Sequence, residues 1–135
     1  MSSGILIDSC LLIEHMRAKD KTNTALANVL RLGSDLFIST VVEYEVELGM
    51  TQFHQELWNS LRRRLQILPF ESQMAMMACK IKHDLKAKGI QIEVADLFIA
   101  ATAVVNELPL ATLRAYLKLV WSDFAEIVIL WCSET

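Results

Sequence analysis

The sequence predicts an α/β fold built on a mostly parallel central sheet. Short apolar runs alternate with longer segments of helical periodicity, which is the pattern of βα units. The length, 135 residues, suits a single domain over 1–135 that buries roughly two-thirds of its unfolded surface. Hydrophobic residues make up 53% of the chain, against 4 Gly and 2 Pro. That composition excludes disordered, collagen-like and low-complexity classes. The apolar excess calls for a thick buried layer, an oligomer interface, or both.

Ile5-Leu6-Ile7 reads as a buried strand ending at Asp8-Ser9, and Leu11 to Arg17 as a helix with Ser9 as its cap. A second helix is expected over Asn23 to Leu32, stopped by Gly33. Leu36-Phe37-Ile38 is the next strand, with Ser39-Thr40 placed to cap the segment after it. Gln66-Ile67-Leu68 is a short strand before Pro69. Ser72 to Lys88 is a long helix closed by Gly89, and Ile92 to Asn106 an Ala-rich helix. Leu110-Ala111 and Ile127 to Leu130 complete the strands. One stretch has two readings. Val42, Tyr44, Val46 and Leu48 alternate with Glu43, Glu45 and Glu47, which is strand periodicity. As a helix, the same stretch groups Val42, Val46, Met50 and Phe53 on one face. Length favours the helix, but the local pattern leaves both open.

The net charge is −3. No global basic field draws in nucleic acid, so such a partner must be held by a local patch or through metal ions. Cys10, Cys79 and Cys132 have no metal-ligand spacing, and their odd number argues against a disulfide framework and for a reducing cytoplasm. The start, Met-Ser-Ser-Gly before a short apolar run, predicts no signal peptide, and no apolar stretch is long enough to cross a bilayer.

Three acidic positions stand out. Asp8 ends a strand, where open parallel sheets bind ligands; as a plain reading it caps the next helix. One acid of Glu43, Glu45 and Glu47 is expected to face the same cleft, the others being solvated. Asp96 opens a small-residue helix, where the helix dipole favours an acid by roughly 0.3–1 kcal/mol, and Ala100, Ala101 and Ala103 anchor that helix in the core. Carboxylates gathered in one pocket repel each other until protons or a divalent cation intervene. Mg²⁺ takes oxygen ligands and suits phosphate chemistry, so the metal would supply the positive charge through which an acidic protein meets RNA.

The ordered set Ile5-Leu6-Ile7-Asp8-Ser9, Phe37-Ile38-Ser39-Thr40, Tyr44-Glu45-Val46-Glu47-Leu48-Gly49, Asp96 to Ala103 and Leu108-Pro109-Leu110-Ala111-Thr112 resembles PIN-domain ribonucleases, in particular the VapC-like toxins of prokaryotic toxin–antitoxin pairs. The resemblance covers nearly the whole chain. It implies a three-layer α/β/α sandwich and a Mg²⁺- or Mn²⁺-dependent endoribonuclease, with Asp8, Glu45 and Asp96 as the catalytic, metal-binding acids. It selects the helix for the ambiguous stretch and Glu45 among its acids. It further implies RNA as substrate, a cognate antitoxin as partner, a homodimer, no membrane association and a cytoplasmic location. Hydrolysis would proceed by in-line attack of water on a backbone phosphate, leaving a 5′-phosphate and a 3′-hydroxyl.

The chain departs from the family pattern after Thr112. Arg114 stands at a position that is usually Asn or Asp, and Leu117 where a later Asp or His is expected. Asp123-Phe124-Ala125-Glu126-Ile127 looks like the displaced end of that pattern, so either Asp123 is a fourth metal-binding acid or the site has only three, and the three-acid reading is preferred. Arg114 near the metals would either cost metal affinity or hold a substrate phosphate. Ser9, Ser39 and Thr112 are expected to contact substrate or to orient water and ligands. The altered stretch also supports an alternative, a catalytically silent PIN-fold protein acting by dimerisation or by antitoxin or RNA binding. Leu119-Val120-Trp121 and Ile127 to Trp131 would serve such an interface, although buried strand and helix is the simpler account. A phospho-acceptor receiver built on Asp8 lacks the matching acid pair and lysine. Arg62-Arg63-Arg64, with Lys80, Lys82, Lys86 and Lys88, reads first as a solvated charged face and second as a phosphate groove. His15, His54 and His83 read as surface residues; Met74, Met76 and Met77 read as packing.

Overall fold

The computed structural model describes residues 4–118, 120 and 130–131. Five parallel strands form one sheet in the order β3-β2-β1-β4-β5. They are β1 (Gly4–Ile7), β2 (Asp35–Ser39), β3 (Gln66–Leu68), β4 (Leu110–Thr112) and β5 (Leu130–Trp131). Helices α1 (Ser9–Arg17) and α2 (Ala25–Leu30) connect β1 to β2; α3 (Thr40–Leu48) and α4 (Gln55–Arg62) connect β2 to β3; α5 (Ser72–Ala87) and α6 (Val94–Val105) lead to β4. The chain winds outward from β1 to β3, then crosses back to place β4 on the other side of β1. Right-handed crossovers in opposite directions put helices on both faces, which is the three-layer α/β/α sandwich. The reversal between β1 and β4 opens a crevice at the carboxyl ends of those strands.

The core is continuous. Leu6, Ile7, Ile38 and Leu110 from the sheet meet Leu11, Leu12, Val42, Ile81 and Ile99 from the helices, all essentially without solvent contact. Gly33 and Gly89 each have φ +74° and end their helical segments as expected, because this left-handed conformation penalises a side chain. The two readings of residues 42–48 resolve to the helix. Ser39 Oγ accepts from the Val42 amide at 3.1 Å and caps α3, and Val42 and Val46 are buried one turn apart. Tyr44 and Leu48 point outward, so half of the alternating apolar residues are not core. Phe53 lies beyond the end of α3 and is 89% exposed, not on a shared face with Val42.

Other expectations are corrected. The cap of α1 is Asp8, and Ser9 is its first helical residue. Helix α4 had no counterpart in the sequence reading, yet it carries Trp58, the largest fully buried side chain among the described residues. Met74 is buried but Met76 is 65% exposed on α5. Leu119, Trp121, Asp123 and Ile127 to Ile129, for which an interface, a strand or a metal-binding role is expected, lie outside the described residues.

His15 is buried, contrary to the surface reading. Its Nδ1 lies 2.7 Å from Thr24 Oγ1, and that oxygen also accepts from the Ala27 amide. Burial, and secondarily the Lys21 charge, pull the His15 pKa below its ordinary 6.5, with Glu14 opposing. The unfolded chain therefore takes up a proton that the folded one resists. Stability contributed here is full above about pH 6.5 and is lost as pH falls below that value. The urea midpoint is expected to fall between pH 7.5 and pH 5.5 by more in the wild type than in His15→Gln, a comparison that isolates this residue from the carboxylates.

Candidate active site

The site lies beyond the ends of β1 and β4. The Asp8 amide donates to Ala111 O at 3.0 Å, which locks the end of β1 to β4. The Asp8 carboxylate, 0% exposed, accepts from the Ser9 amide at 2.8 Å and from Thr112 Oγ1 at 2.6 Å. It thus caps α1, as the plain reading expects, from the end of β1 beside the crevice. Ser9 Oγ donates to Glu45 Oε1 at 2.9 Å, tying α1 to the second turn of α3. Asp96, 5% exposed, projects from the first turn of α6. Arg114 follows β4; its amide donates to Thr112 Oγ1 at 3.0 Å. Its guanidinium Nη1 donates to Asp96 Oδ1 and stands 3.7 Å from Asp8 Oδ1. Tyr116 Oη donates to the other Asp96 oxygen. Glu45, Glu93, Ala95, Asp96, Arg114 and Tyr116 line a cleft of about 430 Å³.

The electrostatics report how tightly these groups converge. Burial raises the Asp96 pKa, Asp8 and Glu45 raise it further, and Arg114 opposes. Burial works against the Arg114 charge, but Asp8, Asp96, Cys10 and Glu45 outweigh it and raise the Arg114 pKa. Besides burial, the two groups feel the same crowding: one guanidinium faces the carboxylates of Asp8, Glu45 and Asp96. Cys10, beside Asp8 and Thr112, has its thiol pushed up to about 11, first by burial and then by the Asp8 charge, so it stays protonated and is no nucleophile at neutral pH.

A divalent cation was the expected cofactor. Among the described residues, no group of three Asp, Glu, His or Cys side chains stands ready to hold a metal ion. The oxygens of Asp8 and Asp96 converge on the Arg114 guanidinium instead. The donor set nevertheless fits a hard cation: it consists of carboxylate and hydroxyl oxygens, a cation already sits where two of the acids meet, and negative charge is left over.

The structure brings Asp8, Glu45, Asp96, Ser9, Thr112 and Arg114 together. Ser39 is set apart: it is fully buried, and its hydroxyl is spent on capping α3 rather than lining the cleft. Glu43 and Glu47 point elsewhere. Glu43 pairs with Arg62 at 2.6 Å, and Glu47 accepts from Trp58 Nε1 at 2.8 Å. Leu117 is buried among core residues. Tyr116 and Glu93 were missed; the only signal for Tyr116 was its place in the altered stretch just after β4. Arg63, Arg64 and the α5 lysines are exposed.

A doubly wound parallel sheet with three acids gathered at its switch point defines an α/β protein with an acidic cleft. Residues 5–114 match the family described as PIN domain, and the chain belongs to that family. It is 29% identical over 111 residues to ribonuclease VapC1 of Methanocaldococcus jannaschii, covering 82% of this chain and 75% of that protein. It is 28% identical over 119 residues to toxin FitB of Neisseria gonorrhoeae, covering 80% of this chain and 86% of that one. The fold matches VapBC2 from Rickettsia felis, solved bound to a DNA fragment from its promoter, with TM-score 0.78 and 19% identity over 92% of this chain and 98% of that chain. No helix among the described residues is long and apolar enough to cross a membrane.

Proposed function

We propose that this chain is a metal-dependent endoribonuclease and the toxin of a toxin–antitoxin pair. The observation that supports this most directly is the gathering of Asp8, Glu45 and Asp96, from three separate elements, around one cleft in a PIN-domain chain. These acids would hold Mg²⁺ or Mn²⁺, with Asp123 a further candidate ligand. When bound, such an ion supplies an acidified water and charge stabilisation for phosphodiester hydrolysis. The chain's own residues do the positioning. Thr112 aims Asp8 and Ser9 aims Glu45, each by a hydrogen bond that fixes a carboxylate rotamer. Arg114, on the cleft wall, takes a phosphate of single-stranded or looped RNA. A cognate antitoxin and a second copy of the chain are the protein partners, in the cytoplasm.

A specific observation favours a second reading, a catalytically silent PIN-fold protein that acts by binding: both oxygens of Asp96 are already engaged, by Arg114 and Tyr116. One assay separates the two. Labelled single-stranded RNA incubated with the protein and Mn²⁺ is expected to be cut internally, with cleavage abolished by EDTA and lowered about 10²–10³-fold by Asp96→Asn. No cleavage by the wild type, or equal cleavage by Asp96→Asn, overturns the nuclease reading.

A further inference from the structure

Arg114 is placed unlike an ordinary surface arginine. Its side chain is two-thirds buried, its Nη1 is shared between Asp8 and Asp96, and its own amide is held by Thr112, the residue that aims Asp8. Tyr116, two residues on, closes over the second Asp96 oxygen. Arg114 and the 3-10 turn Ala115–Leu117 that follows it thus carry a two-pronged clasp on one carboxylate, and both prongs are lining residues of the cleft. A cation at a converging set of carboxylates relieves their repulsion, and here the polypeptide supplies it.

We propose that Arg114, seconded by Tyr116, is a built-in counter-cation that a divalent ion must displace from Asp96 in order to bind. This rests on the reading of Asp8, Glu45 and Asp96 as metal ligands. The acid cluster is a cation-exchange site: it holds the guanidinium when metal is scarce and the divalent ion when metal is abundant. Exchange is possible because Arg114 reaches Asp96 through a long side chain that is one-third exposed and can turn toward solvent, whereas Asp8 and Asp96 are short side chains fixed at the end of β1 and on α6. A ligand whose competent state is only fractionally populated binds more weakly by that fraction, so a clasp closed about nine times in ten costs about tenfold in apparent affinity. The displaced guanidinium stays on the cleft wall, where the incoming phosphate needs it.

The test is Mn²⁺ binding by the full chain, measured after EDTA stripping by electron paramagnetic resonance of the free ion. Arg114→Ala is expected to bind Mn²⁺ about tenfold more tightly than wild type, and Tyr116→Phe several-fold more tightly. The double variant Asp8→Asn/Arg114→Ala is expected to lose that gain, which locates the ion. Thermal melts add an independent readout. Metal-free Arg114→Ala melts below wild type, because its acids are uncompensated, and gains more in Tm from Mn²⁺ than wild type does. Equal or weaker Mn²⁺ binding by Arg114→Ala, with wild type still binding the ion, overturns the clasp and leaves the metal-site reading intact. Absence of Mn²⁺ binding in wild type and both single variants overturns both. Should Arg114→Ala fail to fold, unchanged Mn²⁺ affinity in Tyr116→Phe is by itself sufficient to reject the clasp.

Discussion

Asp8→Asn is expected to lower RNA cleavage by about 10²–10³-fold with the fold intact. The substitution removes one charge and changes almost nothing in shape. The retained amide oxygen still accepts from the Ser9 amide, so α1 keeps its cap. The new amide group faces Thr112 Oγ1, which now accepts where it donated before. The stability cost of that exchange is about 1 kcal/mol, far less than a lost core contact. The activity cost is large because Asp8 is the fully buried acid of the cluster, held from two sides at the switch point of the sheet. Thr112→Val serves as the companion. It keeps all three acids and removes the hydroxyl that aims Asp8 and accepts from the Arg114 amide, and is expected to cost about 10–100-fold in metal affinity or activity. Both are read by RNA cleavage at saturating Mn²⁺ alongside circular dichroism. Full activity in Asp8→Asn would remove this carboxylate from the chemistry.

Trp58→Ala is expected to destabilise the protein by about 3–5 kcal/mol, the range for deleting a fully buried aromatic side chain. Trp58 is 0% exposed and supplies the buried face of α4, a short helix whose remaining apolar anchor is Leu61. Its indole also donates to Glu47 at 2.8 Å and ties α4 to the end of α3. Trp58→Phe separates the two contributions. It keeps most of the ring volume and loses the hydrogen bond, and the Glu47 carboxylate is left free to turn to water, for a cost of about 0.5–1.5 kcal/mol plus the small volume change. Urea unfolding followed by far-ultraviolet circular dichroism measures both. A Trp58→Ala midpoint equal to wild type would mean that α4 is not part of the cooperative core.

Helices α1, α5 and α6 were legible from local chemistry, whereas for α3 the residue pattern left strand and helix open and the family resemblance chose the helix. Ser39 caps one, Gly89 stops another, and Asp8 stands before a third. Helix α4 was not legible, since its polar run from Gln55 to Arg62 has only Leu57, Trp58 and Leu61 as apolar points. His15 was misread for a related reason: a lone histidine in a helix carries no sign of the Thr24 hydroxyl that accompanies it from another segment. Ser39 was read both as a cap and as a substrate contact, and the structure places its hydroxyl oxygen in the α3 cap, accepting from the Val42 amide.

The order of strands β1 to β4, the positions of Asp8 and Asp96 at element boundaries, and the family were readable from the residues alone. They depend on hydrophobic periodicity and end signals, which act over a few positions. Residue patterning left open which acid of α3 turns to the cleft and the family resemblance pointed to Glu45; the physical reason is in the assembled fold, where Ser9 lies opposite Glu45 across 36 positions of chain. The same holds for Arg114 bridging Asp8 and Asp96, and for Tyr116 covering the Asp96 oxygen that Arg114 leaves open. Charge pairing between distant segments is settled only once the sheet has fixed where each segment ends, and no local pattern encodes that geometry.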